Sequence, residues 1–291
     1  MLEFLSGSGE AQGAYSWQHL TFVTSLMIIM VLLAVYLGKK FKDQDFNAKN
    51  KVLIWAAILI DGFELAKIII LCALDGSFEP IRRVLPLFLC SIQLIAIPVA
   101  AFTKGKLKNA TLDFIVIFGI LGALAGTYGA AQNYGTYPVL SWPNIVSGIT
   151  HSISGFASLY ILISGMRSMK KENIPICLAI LTVFCVLAYI ANVTLEYNYM
   201  FMMAGDGTPY DIFYNMVKDT PKVFGAPILY SIIVVALFYV YILGFYGVYF
   251  LITKKSTNAV AETIEFVPAE EVEEEAAATV AVAEEEPASE N

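Results

Sequence analysis

RRVLPLFLCSIQLIAIP, residues 82–98, is apolar after its first two residues and carries a thiol and an amide, Cys90 and Gln93, between Pro86 and Pro98. If the stretch is helical, those two side chains are one turn apart and share a face. Polar groups within hydrocarbon are costly and normally face a bundle interior or a water-filled cavity. The stretch therefore raises two questions together: does it cross a membrane, and what does its polar face line?

Its surroundings answer the first. The chain of 291 residues is 58% hydrophobic, with a mean hydropathy of +0.68. About 20 helical residues span a hydrocarbon core, and runs near that length recur at 18–38, 52–74, 84–102, 111–131, 146–166, 174–197 and 226–252. The expected fold is all-α: a polytopic seven-helix transmembrane bundle formed by residues 18–252. Residues 1–17 are expected to form an extracytoplasmic N-terminus. They contain no Lys or Arg ahead of the first apolar run, so that run reads as a retained span rather than a secretory signal.

Charge fixes the expected orientation. Loops after the first, third and fifth spans, with the stub after the seventh, hold 13 of the 18 Lys and Arg, and the opposite side holds 4. Cytoplasmic loops are enriched in these residues, which puts the N-terminus outside and the C-terminus inside. The net charge of −7 comes from the end of the chain, where 11 acidic residues and no basic ones follow Lys255. Segment 253–291 is rich in Glu and Ala and poor in aromatics, so it is expected to be a disordered acidic cytoplasmic tail.

The polar residues inside spans mark the candidate site. DGFELAK, residues 61–67, spaces Asp61, Glu64 and Lys67 three apart along one helix face. Glu64 and Lys67 can form a buried ion pair that fixes packing, or serve a site. His151 lies early in the fifth span, His19 at the lip of the first, and Asn192, Glu196, Tyr197, Asn198 and Tyr199 at the end of the sixth. Counting from span ends puts Cys90 roughly 9 Å below the outer surface. His151, Lys67 and Asn192 fall at similar levels, which points to one cavity in the outer half of the membrane.

A thiol and an imidazole at one depth are what thiol acyl transfer requires. Gln93, Asn192 and the tyrosine hydroxyls can then stabilise an oxyanion or orient the ring. Cys72, Cys177 and Cys185 read as packing residues. GALAG, residues 122–126, fits the small-xxx-small pattern of close helix packing. No zinc-protease, phosphate-loop or metal-cluster pattern is present, no lysine in the last span suits a retinal, and no basic aromatic stripe suggests nucleic acid. No cofactor or metal is expected, and protein partners are left open.

Several of these segments resemble a known family. LPLFLC at 85–90, ELAK at 64–67, His151, and the run from Asn192 through EYNYMFM at 196–202 are similar to the bacterial YwaF-like integral membrane proteins, and more distantly to the animal transmembrane protein 164 acyltransferases. The likeness covers most of residues 15–250. Family members often carry a histidine where this chain has Phe88, which leaves His151 as the deep base candidate. The resemblance implies a bacterial plasma-membrane protein of seven helices, or six plus one. Through the animal relatives it implies cysteine-dependent acyl transfer between phospholipids, with Cys90 as nucleophile and His151 as base. The bacterial members carry no settled activity.

Three readings follow. The first is a lipid acyltransferase or acyl hydrolase with Cys90 and His151 as catalytic pair. Glu64, Lys67, Gln93, Asn192, Glu196, Asn198 and Tyr199 would shape its pocket for a membrane phospholipid or other lipidic ligand. The second is a carrier or receptor for a small polar or lipidic ligand, which needs the cavity but no nucleophile. The third is a scaffold acting through the acidic tail.

Overall fold

Ser16 and Asp45 open the first two long helices, each accepting a hydrogen bond from the backbone N–H three residues ahead, at His19 (3.3 Å) and Ala48 (2.7 Å). The computed structural model describes residues 1–166 and 169–265. Its helices are α1 (Leu2–Ser6), α2 (Trp17–Lys40), α3 (Phe46–Asp75), α4 (Glu79–Val84), α5 (Gln93–Phe102), α6 (Gly105–Thr127), α7 (Ala131–Thr136), α8 (Trp142–Ile163), α9 (Ile174–Leu195), α10 (Asp211–Val217) and α11 (Ile228–Glu265). Among the described residues the only strand pairing is a two-residue ribbon, Lys222–Val223 against Ala226–Pro227. Residues 1–243 form one compact unit, and the described residues from 244 to 265 belong to a second.

Five of the described helices are long and apolar enough to cross a membrane: α2, α6 taken with α7, α8, α9, and α11 as far as Lys254. The protein is a multi-pass membrane protein. The two remaining expected spans depart from the pattern. In α3 the length suffices at 30 residues, but Asp61, Glu64 and Lys67 interrupt the apolar run.

The expected span over 84–102 is a correction of a different kind. Its helix covers only Gln93–Phe102, 10 residues, about 15 Å and so half the hydrocarbon thickness. Pro86 accounts for the break: it lacks an N–H and disfavours helical geometry at the residue before it, and Leu85 is extended at φ −52, ψ 138. Residues 85–92 form turns instead. There the Ser91 hydroxyl accepts from the Phe88 N–H at 3.0 Å, and the Ile92 N–H donates to the Phe88 carbonyl at 3.0 Å. Cys90 thus lies ahead of the helix that Gln93 begins, and the two do not share a helix face.

At the other end α11 continues past the expected limit of 252 to Glu265. The remainder of the acidic tail, 266–291, lies outside the described residues.

The centre of the first unit is α6, whose residues 110–119 are all buried. Helices buried all round belong to bundle interiors. Small residues bring α6 and α8 close. A side chain at Gly119 would meet the Ser154 carbonyl oxygen at 2.6 Å, and the Ser158 hydroxyl donates to the Val116 carbonyl at 2.8 Å. Backbone approach through glycine and serine is how helices associate where apolar burial offers no driving force. α2 packs on α8 as well, where Gly148 meets Phe22 and Leu26, and at Gly155 both α2 (Met30) and α6 (Ala123) come close.

Candidate functional site

The turn at 85–92 is held against the chain following α9 by aromatic rings. Phe88 lies 5.4 Å from Tyr199, 6.2 Å from Tyr197 and 6.0 Å from Phe201, centroid to centroid. Three aromatic rings thus surround the Phe88 side chain. Asn192 is buried and acts as a two-armed clamp: its amide donates to the Tyr199 carbonyl at 3.0 Å, and its carbonyl accepts from the Tyr199 N–H at 2.5 Å. That clamp steadies a tight turn in which Met200 and Phe201 take φ of 56°, a region that costs non-glycine residues energy. The Tyr199 hydroxyl donates to the Arg82 carbonyl, and the Arg82 guanidinium donates to the Leu195 carbonyl at 3.0 Å. Asn198 stitches the following loop, donating to Ala204 and Asp206 at 2.7 Å and accepting from the Met203 N–H at 2.8 Å. Glu196 caps α9 in left-handed geometry at φ 51° and is exposed. Asn192, Asn198 and Tyr199 thus spend their polar groups on backbone and loop partners, and Glu196 faces outward.

With the turn so held, the Cys90 thiol and the His151 imidazole come close enough to bear on each other's charge. Backbone N–H groups of Cys90 and Ser91 also bear on the sulfur, just ahead of the N-terminus of α5. The other side of the imidazole is committed, with Nδ1 2.7 Å from the Ser147 carbonyl oxygen one helical turn earlier on α8. A carbonyl can only accept, so Nδ1 carries the proton and Nε2 is left as the acceptor; this tautomer is assigned from the hydrogen-bond network. Thiol, imidazole and the Ser147 carbonyl thus lie in series.

Two glycines of α6 make the space. A side chain at Gly122 would lie 3.4 Å from Cys90 Cα, and one at Gly126 would lie 1.8 Å from His151 Cδ2 and 2.0 Å from Nε2. These are the two ends of the small-xxx-small segment. Sequence reasoning took it for ordinary helix packing, and the spacing alone carries no signal of what the gap admits. Ser147 and Ser154 were also missed. The Ser154 hydroxyl lies 3.7 Å from the same Gly122 position, buried and without a hydrogen-bond partner among the described residues. Gln93 is fully buried with neither amide atom partnered.

Glu64 and Lys67 form a buried ion pair at 2.7 Å on α3, and the Lys67 ammonium is close enough to His151 to bear on its charge. Removing one partner of a buried pair leaves an uncompensated charge, at a cost of about 3–5 kcal/mol. Lys67→Met is therefore expected to lower the thermal midpoint in detergent sharply, and adding Glu64→Gln to recover most of the loss. An unchanged midpoint in the single variant would show that the pair is not buried in the folded protein.

His19, fully buried, is not part of this cluster. Its Nδ1 accepts from the Tyr15 N–H at 2.9 Å, its Nε2 donates to the Thr127 carbonyl at 3.1 Å, and its ring stacks on Tyr134 at 3.8 Å. Cys177 and Cys185 are buried, and Cys72 is half-buried like Cys90. Among the described residues no group of three His, Cys, Asp or Glu side chains is placed to hold a metal ion.

The family model described as the TMEM164 family matches residues 14–246. That is most of the chain, and it spans every residue of the cluster above. The chain belongs to the TMEM164 family. No curated protein and no solved structure matches it. The matched range takes in both stretches that meet at the site, the turn carrying Cys90 and the turn carrying Tyr199, so this TMEM164-family chain keeps its aromatic clasp and its thiol–imidazole contact within the family's own boundaries.

Proposed function

We propose that this protein is a membrane lipid acyltransferase that uses Cys90 as nucleophile and His151 as its base. The observation that carries the reading is the thiol–imidazole contact, with Nδ1 of the ring already committed to the Ser147 carbonyl. Family membership supports it further.

The steps balance as follows. Cys90 Sγ attacks the ester carbonyl carbon of a phospholipid while its proton passes to His151 Nε2. The carbonyl oxygen becomes an oxyanion, and the unpartnered Gln93 amide is the donor available to it. The ester C–O bond then breaks, and the departing alkoxide of the lysophospholipid takes the proton from His151, leaving an acyl thioester on Cys90. In the second half the hydroxyl of an acceptor lysolipid gives its proton to His151 and attacks the thioester carbon. The C–S bond breaks and the thiolate recovers the proton. With water as acceptor the same site hydrolyses the acyl group. Lys67, whose ammonium bears on His151, is the group we assign to the donor's phosphate, with Glu64 holding it in place.

The bacterial YwaF-like branch, the plasma membrane, an extracytoplasmic N-terminus and a cytoplasmic acidic tail complete the reading, and they put the chemistry in the outer half of the bilayer. A thiol-reactive acyl mimetic tests it. It is expected to label Cys90 and spare Cys72, which is comparably exposed, as well as Cys177 and Cys185. Equal labelling of Cys72 and Cys90 would remove the case for an activated thiol. Phospholipid binding that survives Cys90→Ala, with no turnover in the wild type, would favour the carrier reading.

A further inference from the structure

Directly behind the nucleophile lies a cavity that the chemistry above does not use. It has a volume of about 380 Å³ and is lined by Leu89, Leu121, Tyr210, Phe213, Phe238 and Tyr241 among others, with no charged side chain in its wall. Two of these residues tie it to the site. Leu89 precedes Cys90 in the turn, and Leu121 precedes Gly122, whose vacant side-chain position is 3.4 Å from Cys90 Cα. The opposite wall comes from α10, the residues just before it, and α11. Phe201 stacks on Tyr210 at 5.9 Å and Tyr210 meets Phe238 edge-on at 6.2 Å. The same aromatic chain that clasps the Cys90 turn thus continues into the cavity wall.

We propose that this cavity binds the fatty acyl chain of the phospholipid whose carbonyl is presented to Cys90. The inference rests on the acyl-transfer reading for its connection to turnover, but the binding itself does not require a nucleophile. Capacity fits a lipid tail: a dry cavity of ~150 Å³ admits benzene, so about 380 Å³ has room for roughly fifteen carbons. The volume also falls within the range of ordinary small-molecule sites, which are walled mainly by apolar and aromatic groups. A phosphate or a sugar would find no charge to pair with in this wall, whereas an alkyl chain needs none. The cavity would then act as a ruler. The distance from the thiol to its far wall sets which acyl chains reach the thioester stage.

The test is photocrosslinking with phosphatidylethanolamine carrying a terminal diazirine on a palmitoyl chain, applied to the full chain in lipid nanodiscs as wild type, Cys90→Ala, Leu121→Trp and Leu237→Trp. The expected result is labelling concentrated on residues 209–213 and 237–241 in both wild type and Cys90→Ala. Leu121→Trp is expected to reduce it at least several-fold and to shift preference from palmitoyl toward lauroyl probes. Leu237→Trp narrows the cavity from the other wall and is expected to do the same, so one poorly folding variant does not leave the question open. Labels confined to outward-facing side chains such as Leu32 and Val186, or insensitive to both tryptophans, would overturn the proposal. Cavity labelling without any thioester on Cys90 would leave the chain site standing and sink acyl transfer. A thioester without cavity labelling would do the reverse.

Discussion

Gly126→Ala is expected to abolish acyl transfer while leaving the protein folded. The substitution should favour helix α6, since alanine is better than glycine in a helix interior by about 1 kcal/mol. Yet its methyl group would lie 1.8 Å from Cδ2 and 2.0 Å from Nε2 of His151, a separation no pair of heavy atoms sustains. The ring must move away from Cys90. A displacement on the order of 1 Å in a catalytic group costs about 10²-fold in rate, and rotation of Nε2 out of the contact would cost the whole proton-transfer step. Gly62→Ala is the control, because a side chain there meets nothing within 4 Å; its turnover should match wild type. The comparison is made by turnover of a labelled phospholipid donor, with a thermal scan to show that both variants are folded. Equal activity in the two glycine variants would mean that the imidazole position does not matter.

Cys90→Ala is expected to reduce acyl turnover to background with little change in thermal midpoint. The side chain lost is small, half-buried and located in a turn, so cavity formation costs little. Covalent catalysis has no substitute thiol, since the remaining cysteines lie in α3 and α9, and the Ser91 hydroxyl donates its proton to the Phe88 carbonyl. Cys90→Ser is expected to be nearly as inactive, because a hydroxyl holds its proton far more tightly than a thiol does at neutral pH. Full turnover in either variant would exclude a thioester.

These expectations depend on features the sequence reveals unevenly. The membrane class and five of the spans follow from apolar length alone, because backbone satisfaction in lipid leaves few alternatives to helices. The third span misled because hydropathy is blind to backbone geometry. Residues 84–102 are apolar enough to cross, and Pro86 marks where the preceding helix stops at Val84 but not that the next one begins at Gln93. Counting from span ends paired residues 90 and 151, but it placed Cys90 inside a helix that begins only at Gln93. The gap between Gly122 and Gly126 is not, since a small-xxx-small pair looks the same whether it admits a helix backbone or an imidazole. Asn192, Asn198 and Tyr199 looked like pocket groups because polar residues near span ends are usually functional. Here a tight turn with positive φ at Met200 and Phe201 needs those hydrogen bonds for itself. The aromatic clasp from Phe88 to Phe238 was invisible for the ordinary reason that aromatic residues are common in membrane spans and their pairing is tertiary.

The most direct test is intact-protein mass spectrometry of the purified chain after brief exposure to a phospholipid donor without acceptor. An added mass equal to one acyl group, released by neutral hydroxylamine and mapped to Cys90, is the result this account predicts, with the adduct missing from Cys90→Ala and sharply reduced in Gly126→Ala. Donor turnover with no hydroxylamine-labile adduct on that residue would contradict it.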